Sequence, residues 1–530
     1  MQEINIPFSE TGMFSKLILD YVNSVETTHL FYNYSLDINA IQQAITDKQN
    51  EKIDRDNLVH TIQRQYANIE LSDAVASNIN CLSNSNSYCI VTAHQLNIFG
   101  GPLYYIYKIA QTISTCQQLK LKYPDISFVP IYWLGSEDHD FEEINHIYLY
   151  NKKIEWQDKQ GGATGNYNPE SILPLIDEIK SILHVDEDND LIQLFRSAYA
   201  QNSLTNATRY LLHSLFGKYG LVIVDGNDAS FKQAFSDVMQ DELLQQQSIT
   251  LVEQQLQLLA SKGYKQQAFP RAINLFYLFK NARERIEFNA STSTYSVVNT
   301  NITFLQNEII DELKNNPERF SPNVILRPLF QQKILPALAY IGGAGEISYW
   351  LQLKTLFQHY KVNFPQLIVR NSVLLINDAL TKKAMKLGFT TQDFFQDIDL
   401  LKKIYIEKNT ATDLDFSNYK HDIEKVFNEI KNKTQSIDVS LVNVVGAEQQ
   451  KTLQSIDAIQ KRLLKSLKQK NENELLQIEK LKQQLFPNQS LQERVENFSS
   501  YYVKYGQSFI DELIQRFDIY NKQFLLLTTI

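Results

Sequence analysis

The chain has 530 residues, 43% of them hydrophobic and 21% charged, a mixture that supports a large buried core and excludes wholesale disorder. With only 17 Gly and 13 Pro it is neither collagen-like nor linker-dominated. A surplus of 60 Asp and Glu over 51 Lys and Arg leaves a net charge of -9, which argues against a protein that grips long nucleic acid, since phosphate neutralisation calls for a basic face.

Apolar residues at three- and four-residue spacing (Leu17, Ile18, Tyr21, Val22, then Ile41, Ala44, Ile45) predict an N-terminal helical segment over residues 1–86, ending in the SNSNS loop. Tyr88 to Ala93 is a β-branched apolar run that reads as a buried strand. It leads through HQLNIFGGP into an amphipathic helix over Leu103 to Leu121, and Phe128 to Leu134 is a second strand. Strand, glycine-containing loop, helix and strand make a βαβ unit. Leu221 to Asp225 predicts a third strand, with Val324 to Arg327 and Leu367 to Arg370 as further ones. Apolar strands separated by helices predict an α/β core, a doubly wound parallel sheet with inserted segments, over residues 87–378. From 379 to 490 the composition shifts to Lys, Glu, Gln and Leu. Leu453, Ile456, Leu463 and Leu467 keep a, d spacing, and Gly446 is expected to break the run into an antiparallel pair of long helices. Pro487 ends it, and 491–530 form a last helical segment expected to return to the core.

Ligands of open α/β sheets bind beyond the carboxyl ends of the strands, so the residues there are the candidates. His94, Gln95, Asn97, Gly100, Gly101 and Lys108 follow the first strand; they make either a phosphate or carboxylate cradle or a plain tight turn. After the second strand, WLGSEDHDFEEINH carries Ser136, Glu137, Asp138, His139, Asp140 and Asn145, a charge cluster able to bind Mg²⁺ through carboxylates, orient an ammonium or act as a base, if it is not a solvated acidic turn. His139 and His146 lack H-E-x-x-H spacing, and Cys81, Cys89 and Cys116 show no C-x-x-C, so neither zinc nor a disulfide scaffold is expected, and a reduced cytoplasmic setting is. Gly342, Gly343, Gly345 and Glu346 open a helix bearing Tyr349 and Trp350, either a nucleotide site or a close-packed turn with Trp350 in the core. Arg271, Arg283, Arg285 and Arg327, with Asn274 among them, supply cations that are anion ligands or surface charges. The N-terminus has no signal-peptide pattern, and no stretch approaches the ~20 apolar residues that cross a bilayer, so no membrane partner is expected.

The segments HQLNIFGGPLYYIYK, PIYWLGSEDHDFEEINH, FPRAINLFYL, FSPNVILRPLFQQKILPALAYIGGAGEISYW and LFPNQSLQERVENF, spread in order over residues 88 to 500, resemble the cysteine-adding enzymes of bacillithiol biosynthesis, the BshC family. One departure is that this chain reads Ala93-His94-Gln95 where the family commonly has Gly-Gln-Gln. The resemblance implies a Rossmann-like core, a coiled coil used for homodimerisation, and the joining of cysteine through its carboxyl group to the amine of glucosaminyl malate. It also implies a likeness to class I aminoacyl-tRNA synthetases, the nearest rival reading, against which stand the acidic balance and the lack of a KMSKS-like run. A coiled-coil scaffold with a vestigial nucleotide fold is the non-enzymatic rival. An amide from a carboxylate needs activation, for which ATP with Mg²⁺ is the expected source. His94, Lys108, Asp138, His139 and Asp140 are then the expected catalytic group. Gln95, Asn97 and the two glycine loops with Glu346 would hold the cofactor. Ser136, Glu137, Asn145, Arg271, Asn274, Arg327, Tyr349 and Trp350 would meet the substrates, with Arg271 and Arg327 on the malate carboxylates.

Overall fold

The computed structural model describes residues 2–410 and 415–529, and within them the chain forms two units. One comprises Ile4–Leu374 and Ser490–Leu526; the other comprises Leu375–Gln489 with a few residues from each terminus. The N-terminal helices Lys16–Val22, Ile38–Gln49, Arg55–Gln65 and Asp73–Cys81 belong to the larger unit.

At its centre lie five parallel strands: β1 (Ser87–His94), β2 (Ser127–Leu134), β3 (Val222–Asp225), β4 (Ala337–Gly342) and β5 (Gln366–Val369). Their spatial order is β5-β4-β1-β2-β3, each neighbour parallel to the next. Burial on both faces explains why β1 reads as a continuous apolar run with no alternation. From β1 the chain steps outward through helix α1 (Leu103–Lys122) to β2 and then, by way of helix α2 (Leu204–Phe216), to β3, and returns to the opposite side of β1 for β4 and β5. The order therefore reverses between β1 and β4, the switch point at which a doubly wound sheet opens a crevice. Register brings the exits together: Thr92 pairs with Ile341, and His94 with Leu134.

A five-stranded antiparallel sheet is inserted between β3 and β4, in the order Thr303–Leu305, Thr294–Val297, Ala282–Asn289, Leu275–Phe279, Phe320–Pro322. Val324 to Arg327 is no strand. The Asn323 side-chain oxygen accepts the N–H groups of Ile325 and Leu326 at 2.9 and 3.4 Å, and this turn delivers the chain into helix α3 (Arg327–Ile334), with Pro328 in its first turn. Within the central sheet the strand the apolar pattern did not single out is β4, which runs directly into helix α4 (Ala344–Trp350); the strands of the inserted sheet, and Gln2–Pro7 and Gln523–Thr529 inside the two terminal segments expected to be helical, were not singled out either.

In the smaller unit, α5 (Ser417–Ile437) and α6 (Val442–Lys470) form a hairpin, followed by α7 (Glu472–Leu485). Lys431 donates to Gln449 at 2.6 Å and Lys420 pairs with Asp457 at 2.5 Å, so rising numbers on α5 meet falling numbers on α6, and the two are antiparallel. Gly446 does not interrupt: it sits inside α6, and the reversal falls at residues 438–441. Residues 411–414 of the predicted helical stretch lie outside the described residues.

Candidate active site

A cleft of about 600 Å³ opens where β1, β2 and β4 end. Its floor is Ala93, His94 and Gln95 from β1, Trp133 to Gly135 from β2, and Tyr340, Glu346 and Tyr349 from β4 and α4. The inserted segments supply the wall, with Phe269, Arg271, Phe276 and Arg283 on one side and Pro322, Asn323, Val324 and Arg327 beside them. Glu137, Asp138, His139 and Glu143 complete it. Residues distant in the chain, His94, Asp138, Arg271 and Arg327, thus share one cavity, and Asp140 stands on the adjoining acidic lip with Glu142 and Glu143.

Most charges here are already matched. Glu137 is ion-paired to the fully buried Lys232 from the short helix Ala229–Ala234. The Asp138 carboxylate accepts from the Gln95 amide at 2.7 Å and from the His139 N–H at 2.8 Å, with the Arg283 guanidinium 3.9 Å away. Burial alone would raise its pKa, but Arg283, Gln95 and the two backbone donors outweigh burial and hold it below the ordinary carboxylate value. Arg283 also donates to Ser321 Oγ and the Pro322 carbonyl, lies 4.0 Å from the Phe276 ring centre, and stands 3.1 Å from His139 Nδ1. A guanidinium can only donate, so Nδ1 of His139 is the acceptor in this contact, which leaves Nε2 as the ring's donor. His94 shares a hydrogen bond with Tyr104 at 3.0 Å. Burial, then the Lys108 ammonium, push its pKa down to about 4, so its ring is neutral at neutral pH. Lys108 itself does not reach the cleft: it is buried behind the floor, donating to the Ala93 carbonyl and pairing with Glu346 at 2.7 Å.

Two cations differ from the rest. Among the described residues neither Arg271 nor Arg327 has a carboxylate within ion-pair distance. Arg271 is exposed on the rim, and Arg327 is steadied by Gln331 at 3.0 Å and the Tyr349 hydroxyl at 3.2 Å. A cleft with two unmatched guanidinium groups is ready for an anionic ligand.

Both glycine turns depart from the expected phosphate cradles. Gly100 and Gly101 take φ of +73° and +59°, and the chain itself fills the space before them. Asn497 donates its amide to the carbonyls of Phe99 and Gly101, the Phe498 ring would touch a Cβ on Gly100 at 3.0 Å, and the first N–H of α1, on Leu103, bonds the Glu496 carbonyl at 2.8 Å. At Gly343 the N–H is taken by Glu346 Oε2 at 2.8 Å, which sets a carboxylate where a phosphate was expected; Gly342 is buried, and Gly345 is exposed inside helix α4. Neither turn fits a polyphosphate.

Five other expected ligands turn inward. Trp350 stacks on Tyr340 with ring centres 4.4 Å apart and is wholly buried, so it is core. Ser136 donates to Asp225, Asn145 bonds His146 at 3.0 Å, and Asn97 donates to the Glu143 carbonyl at 2.9 Å. Asn274 spends its donors on Glu242, Ser248 and the Arg271 carbonyl. Arg285 pairs with Glu287. Sequence reasoning missed Lys232, which carries no local signal, and Asn323, whose Asx-turn before a proline-started helix was the available cue.

Residues 1–371 match the model of the BshC N-terminal Rossmann-like domain of bacillithiol biosynthesis, and residues 373–529 that of the BshC C-terminal coiled-coil domain. The chain belongs to the BshC family. Relatives named "Putative cysteine ligase BshC" occur in Flavobacterium psychrophilum, 42% identical over 96% of this chain and 96% of that protein, and in Flavobacterium johnsoniae, 40% identical over 99% of each. The one from Christiangramia forsetii is 39% identical over 99% of this chain and 98% of its own length. The parallel sheet and the helical hairpin described above are the two parts that these BshC domain descriptions name.

Proposed function

We propose that this BshC-family chain is a cysteine ligase that joins the carboxyl group of cysteine to the glucosamine amine of glucosaminyl malate, in the cleft at the β1/β4 switch point. The observation that carries the substrate assignment is the pair of unmatched guanidinium groups, Arg271 and Arg327, in a cleft where the carboxylates of Glu137, Asp138 and Glu346 already have cationic neighbours. Malate brings two carboxylates, one for each arginine. Asp138, held ionised, suits an incoming ammonium, the neutral His94 ring can take the proton that the attacking amine must shed, and His139 can donate a hydrogen bond to the reacting carboxyl group. Displacing a carboxylate oxygen requires that it first be activated; ATP is the activator proposed, held elsewhere than at the two glycine turns. The reaction takes place in the cytoplasm, and the protein works as a homodimer through the hairpin, a reading supported by Val426, Ile430, Ile459 and Leu463, which are 42 to 55% exposed on α5 and α6.

The experiment is to incubate purified protein with ATP, Mg²⁺, cysteine and glucosaminyl malate and follow masses. The amide product, water lighter than the two substrates combined, is expected, and His139→Ala is expected to abolish it without unfolding the protein. Absence of product with the wild type, or unchanged turnover by His139→Ala, overturns respectively the ligase reading or the role of that histidine.

A further inference from the structure

The two unmatched arginines come from different parts of the inserted region: Arg271 precedes the strand Leu275–Phe279, and Arg327 opens α3 after the strand Phe320–Pro322. Those strands are paired, Leu275 beside Pro322, and one side chain ties together the segments that leave them. The Asn274 Oδ1 atom accepts both the Arg271 backbone N–H at 3.0 Å and the Asn323 side-chain amide at 2.9 Å. Two backbone bonds reinforce the link, Asn323 N–H to the Asn274 carbonyl at 3.1 Å and Arg327 N–H to the Asn323 carbonyl at 2.8 Å.

Asn274 cannot drift. It is fully buried, its backbone and amide N–H groups both donate to Glu242 Oε1 at 2.7 and 3.0 Å, and the amide also meets Ser248 at 2.7 Å and the Arg271 carbonyl at 2.8 Å. Buried groups with this many partners have one orientation, and so does the oxygen they aim. Rigidity of this kind fixes the two points of the backbone from which the guanidinium groups reach, so a dianion whose carboxylates match that reach gains both contacts at once.

We infer that Asn274 and Asn323 form a clamp that sets the spacing of Arg271 and Arg327, and so makes the cleft selective for a dicarboxylate over a monocarboxylate. The clamp residues are positioning residues: Asn274 is buried outside the cleft, and Asn323, on the cleft wall, spends its side chain on the Asn274 oxygen and on the turn before α3. The inference rests on the assignment of those arginines to the acceptor's carboxylates, and it deepens that assignment to a specificity determinant.

Binding of free L-malate and of acetate, measured by calorimetry on the full chain, tests it independently of turnover. Asn323→Ser is the informative variant: a serine hydroxyl still caps the turn before α3, but it is too short to reach the Asn274 oxygen. Wild-type protein should bind malate at least about tenfold more tightly than acetate, and Asn323→Ser should lose about tenfold on malate and less than about twofold on acetate. In an Arg271→Ala background, with no second cation left to register, Asn323→Ser should cost nothing more. If Asn323→Ser does not fold, Asn323→Gln, which moves the amide by one carbon, is read in the same way. Equal losses on malate and acetate, additive losses in the double variant, or no malate preference in the wild type would each overturn the clamp. Wild-type protein that binds malate selectively yet forms no amide would sink the ligase reading and leave the clamp standing.

Discussion

Replacing Arg327 by lysine keeps the positive charge and removes the planar fork. In the native cleft the guanidinium is held by Gln331 at 3.0 Å and Tyr349 at 3.2 Å, which fixes its plane toward the cavity; an ammonium has neither the reach nor the shape to keep both anchors and still meet a carboxylate side-on. The loss is one charge-assisted hydrogen bond to the acceptor, about 1.5–3 kcal/mol, or roughly 10- to 150-fold in affinity. Initial rates with each substrate varied in turn should show KM for glucosaminyl malate rising within that range, with KM for cysteine changed less than about twofold. The melting temperature should barely move, since Arg327 has no ion pair to lose. An equal rise in both KM values, or none in either, refutes the assignment of this arginine to the acceptor.

The remaining expectations concern the floor of the cleft and its turns. An unfolded chain takes a proton on histidine near 6.5, whereas native His94 resists it until about 4, so the native state is penalised as pH falls from 6.5 toward 4, by about 3 kcal/mol at the lower end. Denaturant titrations across that range should show His94→Gln lacking this part of the slope; superimposable pH profiles would contradict it. Lys108→Met leaves the Glu346 carboxylate in the floor without its cation and should cost about 3 kcal/mol in unfolding titrations, most of it regained when Glu346→Gln is added; a Lys108→Met protein as stable as wild type would rule out a stabilising pair. Gly101→Ala meets both positive φ and a contact of 2.8 Å with Asn97 Cβ, and should destabilise by about 1–3 kcal/mol. Gly343→Ala meets nothing nearer than Arg370 at 3.6 Å and should melt and turn over close to wild type; loss of turnover with an intact fold would revive the phosphate cradle there.

How far the fold could be read from residues depended on burial and on side-chain size. β1, β2 and α1 were legible because strands covered on both faces are uninterrupted β-branched and aromatic runs, and the helix between them buries one long apolar stripe. β4 was not, because Ala337 and Ala339 are small and Gly342 and Gly343 read as a loop, although the segment is central to the sheet. Val-Ile-Leu before Arg327 looked like a strand, and only the Asn323 oxygen makes it a turn. Gly446 read as a break, but one glycine costs a 29-residue helix only about 1 kcal/mol, which the hairpin absorbs.

The site divides in the same way. Acidic and arginine residues crowded after strand ends announced a crevice, since burying so many charges for packing alone would be unfavourable. What pairs with what was hidden, because the partners arrive from far along the chain. Lys232 neutralises Glu137 from 95 residues away, and the Asn497 amide closes the Gly100–Gly101 turn from nearly 400 residues away. Two glycines beside a helix start signal close approach of something; only the folded chain shows that the visitor is the protein's own segment at 496–498.

The location of the acceptor is the point on which the remainder turns, and a crystal structure of the protein grown with glucosaminyl malate measures it directly. Malate carboxylates lying against Arg271 and Arg327, with the glucosamine amine toward Asp138 and His139 above the ends of β1 and β4, is the predicted result. Ordered glucosaminyl malate bound elsewhere, with both guanidinium groups left to solvent, would contradict it.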